Sequence, residues 1–119
     1  MKNNNIKNLT FQFAVKIITL YKKLVNDKKE YVISKQILRS GTSIGANYRE
    51  ADNAVSKADF VHKLSISQKE ADETLYWLEL LNETKYIDQK CYNELHADGE
   101  IILKIIKTII INTKRNMKK

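Results

Sequence analysis

The sequence predicts an all-α fold, an antiparallel up-down-up-down four-helix bundle, on three observations. Its 119 residues include no proline and three glycines, Gly41, Gly45 and Gly99, whereas a sheet protein needs turn formers about every ten residues. Apolar residues recur at helical spacing in four segments. Short polar turns join those segments, and short turns between long helices force neighbours to run antiparallel. With 43% apolar and 29% charged residues, the chain has enough apolar mass to bury a core, and its length fits one domain over residues 1–119.

The first helix is expected from about Leu9 to Val25, with Phe11, Ala14, Ile18, Tyr21 and Val25 along its inner face. Asn26-Asp27-Lys28-Lys29 reads as a turn. A second helix, about Glu30 to Val55, places Ile33, Ile37, Gly41, Ile44, Tyr48 or Ala51, and Val55 on one side. Ser56-Lys57-Ala58-Asp59 has the form of a capping box, in which a serine oxygen and an acidic side chain satisfy orphan amides. It opens a third helix to about Glu83, with Phe60, Leu64, Ser67, Ala71, Leu75, Leu78 and Leu81 facing inward. After the turn Thr84–Ile87, Asp88 caps a fourth helix ending near Lys114. Residues 1–8 and 115–119 are expected to be frayed tails.

The fourth helix carries more isoleucine than one core needs. Ile101, Ile102, Leu103, Ile105, Ile106, Ile109 and Ile110 cover an arc of about 200°, against the ~100° stripe of a helix on a single core. Apolar surplus of this kind marks an interface, so a homo-oligomer is expected.

The net charge is +7, from 21 basic and 14 acidic side chains. A basic balance points to a polyanion such as nucleic acid, although 18 Lys against 3 Arg, with 15 Ile and 11 Asn, is also what low-GC coding alone produces. The charge sits at the two ends of the sequence: residues 1–29 carry seven basic side chains and one acidic, residues 88–119 seven and four. Lys104, Lys107, Lys114, Arg115 and Lys118 share an arc of about 100° on the fourth helix. Lys16 and Lys23 share a face of the first, with Lys22 close by. First and last helices are neighbours in an up-down bundle, so the two rows are expected to merge. Lys16, Lys22, Lys23, Lys104, Lys107, Lys114 and Arg115 are therefore the candidate nucleic-acid contacts, with a solvated lysine face as the plain alternative.

Residues 36–51 are the most unusual stretch. Gln36, Ser40, Ser43, Asn47 and Glu50 fall within an arc of about 80°, a polar stripe beside the apolar one. A glycine inside a helix costs roughly 1 kcal/mol relative to alanine. Close approach of a neighbouring helix, with hydroxyls and the Asn47 amide bonded across the contact, is the expected compensation. Arg39 and Arg49 lie in the same stretch of a chain that otherwise uses lysine. A carboxylate such as Glu70 or Glu73 is the favoured partner for the guanidinium, a phosphate the other.

The run Arg39-Ser40-Gly41-Thr42-Ser43-Ile44-Gly45-Ala46-Asn47-Tyr48-Arg49-Glu50-Ala51 resembles the four-helix-bundle proteins encoded by intervening sequences of bacterial 23S ribosomal RNA genes. Asp59-Phe60, Lys63-Leu64-Ser65-Ile66, Lys69-Glu70-Ala71, Glu73-Thr74 and Tyr76-Trp77-Leu78-Glu79-Leu80-Leu81 extend the likeness over nearly the whole chain. Many members have Asn-Ile-x-Glu-Gly where this chain has Asn47-Tyr48-Arg49-Glu50-Ala51, the mark of a sub-branch. The resemblance implies a bundle that assembles into a ring-like homopentamer. Similar accessory proteins of diversity-generating retroelements use basic surfaces to engage nucleic acid and a reverse transcriptase.

Other chemistries find little footing. Asp59 with His62, and His96 with Glu100, do not match the Glu-x-x-His pairs of di-iron bundles, so no metal or other cofactor is expected. Cys91 excludes an internal disulfide and is expected to be a core or interface thiol. No Gly-rich phosphate loop or nucleophile elbow occurs, and catalysis is not expected. Tyr76 and Trp77 have the chemistry to stack on bases, but their leucine flanks assign at least one to the core. No signal peptide opens the chain and no run is long and apolar enough to span a bilayer, so a cytoplasmic protein without membrane contact is expected. The functional expectation is a non-enzymatic oligomer that binds RNA or DNA, the alternative being an adaptor for a protein partner.

Overall fold

The computed structural model describes residues 2–118, with side chains from Asn5 onward. It has four helices, α1 (Lys2–Asn26), α2 (Ile33–Asp52), α3 (Lys57–Glu83) and α4 (Gln89–Met117), and no strand among the described residues. They pack side by side into a rod of 52 × 22 × 21 Å. Contacts between helices fix their directions. Ile17 meets Gly41 and Thr10 meets Gly45; Ser67 bonds the Ile44 carbonyl while Lys63 reaches back to Glu50; Leu75 meets Gly99 while Glu79 meets His96. In each pair one number rises as the other falls, so every neighbour runs antiparallel. The α1–α4 seam is the sparsest of the four.

Each helix starts and stops for a local reason. Ser56 Oγ accepts from Asp59 N–H at 3.0 Å and Asp59 Oδ2 accepts from Val55 N–H at 3.3 Å, so the box caps α3 with its return bond one residue early. Asp88 Oδ1 accepts from Cys91 N–H at the start of α4. Helix α2 starts at Ile33 rather than Glu30. Glu30 lies outside the helix, nearly buried, and its carboxylate takes the N–H groups of Val32, Ile33 and Ser34, the last at 2.6 Å. One side chain thus satisfies three orphan donors and places a negative charge on the positive end of the dipole.

Helix α3 ends in a Schellman motif: Tyr86 N–H donates to the Leu81 carbonyl and Lys85 N–H to that of Asn82. Lys85 has φ of 66°, in the left-handed region where a Cβ is disfavoured. Lys85→Gly is expected to raise the unfolding free energy by about 1 kcal/mol in denaturant titration; no gain would mean the Lys85 side chain supplies a compensating contact.

The inner face of α1 differs from the one the spacing predicts. Ile6, Thr10, Phe13, Ile17, Leu20 and Leu24 are buried. Phe11 and Ile18, expected inside, are 50% and 39% exposed, with Val15 between them at 44%. Helix α1 carries two apolar stripes at equal spacing, and packing decides between them: Ile17 and Thr10 seat against the bare backbone of Gly41 and Gly45. Val55, expected at the end of the inner face of α2, lies beyond that helix and is 93% exposed. The ends expected to fray are helical over residues 2–8 and 115–117, anchored at the first end by Ile6; Met1 and Lys119 lie outside the described residues. On α4, Ile102, Leu103, Ile106 and Ile110 are buried and Ile105 and Ile109 half-buried, while Ile101 and Ile111 stay more than half exposed.

Candidate nucleic-acid interface

The polar stripe of α2 faces α3. Ser40 is buried and its hydroxyl is bonded by that of Thr74 across the contact at 2.8 Å. Arg39 bonds Glu70 at 3.1 Å and also Glu73, and Glu50 holds Lys63 at 3.0 Å. Ser43 and Asn47 behave differently from expectation: each donates back to its own helix, to the Arg39 and Ser43 carbonyls. Gln36 is exposed. Gly41 and Gly45 serve a different neighbour, α1, so the stripe and the glycines answer to opposite sides of α2. Arg49 lies over the Phe11 ring, 5.6 Å from its centroid.

The candidate cations do not form one surface. Lys16 is engaged, its ammonium 2.8 Å from Asp98 and 2.9 Å from Glu94. The Asp98 and Glu94 contacts raise the lysine pKa, and Lys16 in turn lowers that of Glu94. This charge is balanced by two carboxylates at the exposed edge of the α1–α4 seam. Lys23 shares a groove with Asp88, Cys91 and Glu94, and Lys22 is exposed one position earlier in sequence. Lys107 lies nine residues beyond Asp98 on α4, about 14 Å farther along the axis, and Lys114 about 24 Å. The expected merging of the two lysine rows therefore fails, because antiparallel packing sets the C-terminal half of α4 beside the N-terminal half of α1.

Charge is instead sorted along the rod. The end built from residues 2–10, 45–67 and 103–118 holds ten basic and three acidic residues; the opposite end holds ten basic and eleven acidic. Lys104, Lys107, Lys114, Arg115 and Lys118 are all exposed, and none forms an ion pair among the described residues. Lys57, from the start of α3, joins Lys104 at the rim of a groove between α4, α3 and Asn5 of α1. Lys57 carries no signal in sequence, since only the stagger of the helices brings it there.

The remaining candidates have bland settings. Tyr76 is exposed and Trp77 half-buried against the core, ring centroids 5.2 Å apart. Burial and the Asp88 carboxylate push the Cys91 thiol up, keeping it protonated at neutral pH. His96 lies between Glu79 and Glu100, at 3.2 and 3.4 Å. Among the described residues no three His, Cys, Asp or Glu side chains gather as metal ligands do, and no described helix is long and apolar enough to cross a membrane.

Comparison with known proteins points to one family. The family model described as 23S rRNA-intervening sequence protein matches residues 2–108. A crystal structure of a protein with unknown function from the S23 ribosomal protein family of Bacteroides thetaiotaomicron VPI-5482 superposes with a TM-score of 0.91 at 56% identity, covering 92% of this chain and 98% of that one. No curated protein matches.

Proposed function

The chain belongs to the 23S rRNA-intervening sequence protein family, and on that footing we propose that it is a non-enzymatic, oligomeric bundle that binds nucleic acid through its basic end. Lys104, Lys107, Lys114 and Arg115 carry the contact, joined by Lys57 and Lys118; Lys16, Lys22 and Lys23 do not take part. The observation that carries the reading is the axial sorting of charge: one end of the rod holds ten basic residues against three acidic, the other ten against eleven. Low-GC coding accounts for many lysines but not for the absence of acidic residues from 103–118. Phosphates bound there release counterions, which supplies affinity with little sequence readout.

Self-association is supported by the outward stripe of Phe11, Val15 and Ile18 on α1 and by Ile101 and Ile111 on α4, apolar surface that one protomer leaves in water. Several copies would repeat the basic end and multiply a modest affinity. The same α1 stripe favours a second reading, an adaptor that docks a protein partner there. The test is binding of labelled RNA and DNA at ~50 mM salt, with light scattering on the same sample. Binding by a species larger than one protomer supports the proposal; an oligomer inert to both nucleic acids leaves the adaptor, and a monomer removes the self-association.

A further inference from the structure

Resting on the nucleic-acid reading above, we propose that the groove at the basic end receives an unpaired nucleobase, which makes single-stranded nucleic acid, rather than duplex, the substrate. The groove has a volume of about 740 Å³, within the roughly 300–1,000 Å³ range of small-ligand sites. Apolar side chains, Phe60 from α3 and Ile105 and Ile109 from α4, form much of its lining. Lys57 and Lys104 stand at its rim, and no carboxylate lines it among the described residues.

A phosphate backbone alone would use the two lysines and leave the apolar lining wet. A base presents an apolar face of the kind that aromatic and aliphatic side chains hold between them. Its flanking phosphates match the two ammonium groups in charge. Asn112, on the same wall, is exposed and offers both donors and an acceptor to the edge of a base. Bases in a duplex are stacked and paired, so their faces do not reach such a groove without being extruded.

The test compares three ligands of about 12 nucleotides by fluorescence anisotropy: a single-stranded RNA, the same backbone with abasic sugars, and a duplex. The intact single strand is expected to bind about tenfold tighter than the abasic strand, which carries the same charge, and tighter than the duplex. Asn112→Leu, at an exposed position that leaves folding intact, is expected to narrow the intact-to-abasic ratio to about threefold without changing abasic binding. Equal binding of intact and abasic strands would overturn the base pocket while leaving the basic end as a phosphate-binding surface. Failure of all three ligands to bind would remove the nucleic-acid reading and this inference with it.

Discussion

Gly41→Ala is expected to lower the unfolding free energy by roughly 2 kcal/mol in denaturant titration, although alanine is the better helix former by about 1 kcal/mol. A Cβ at position 41 would stand 2.8 and 2.9 Å from Ile17 Cγ1 and Cγ2 and 3.2 Å from its Cβ. Ile17 is fully buried and branched at Cβ, so it has no flexible far end to swing aside. The methyl group is accommodated only by separating α1 from α2, which also loosens the contact of Thr10 with Gly45 one turn away. Gly99→Ala is the control. Its Cβ meets Leu75 Cδ2 at 2.7 Å, but that atom is the tip of a side chain at the edge of the core. A rotamer change relieves it, and stability is expected to stay within about 1 kcal/mol of the parent. Equal losses at both positions would contradict the argument that α1 seats on α2 through Gly41.

The second large effect concerns binding. Lys104→Glu, Lys107→Glu and Lys114→Glu together are expected to weaken RNA binding by roughly 30-fold or more at low salt, since each removes a phosphate contact and adds repulsion. Lys22→Glu, Lys23→Glu and Lys28→Glu together make the same change in net charge at the other end, on exposed side chains, and are expected to weaken binding less than about threefold. The pair of variants separates a local basic end from a general excess of lysine. Equal losses would mean that overall charge, not its placement, governs binding.

Much of the fold was legible in the sequence. The absence of proline, the serine and aspartate caps and the inner face of α3 all follow from local chemistry, and Leu64, Ser67, Ala71, Leu75, Leu78 and Leu81 are buried. What was not legible is which stripe of α1 turns inward. Two stripes share the helical period, and the choice rests on Gly41 and Gly45, residues distant in sequence. The start of α2 was displaced because Glu30 has the composition of a helix residue yet caps from outside through its side chain. The candidate site was half legible. The basic row of α4 shows in its spacing, but the assignment of Lys16, Lys22 and Lys23 to the same surface assumed that neighbouring helices align their rows. The antiparallel stagger, and the carboxylates of Glu94 and Asp98 waiting opposite Lys16, are facts of packing.

The most direct measurement of the central claim, that clustered cations at one end of the rod hold phosphates, is the salt dependence of affinity for a single-stranded RNA. The six cations of the proposed contact, Lys57, Lys104, Lys107, Lys114, Arg115 and Lys118, predict a slope of about −4.2 in log affinity against log salt, at ~0.7 per phosphate neutralised. A slope near zero, or an affinity undetectable at ~50 mM salt, would contradict it.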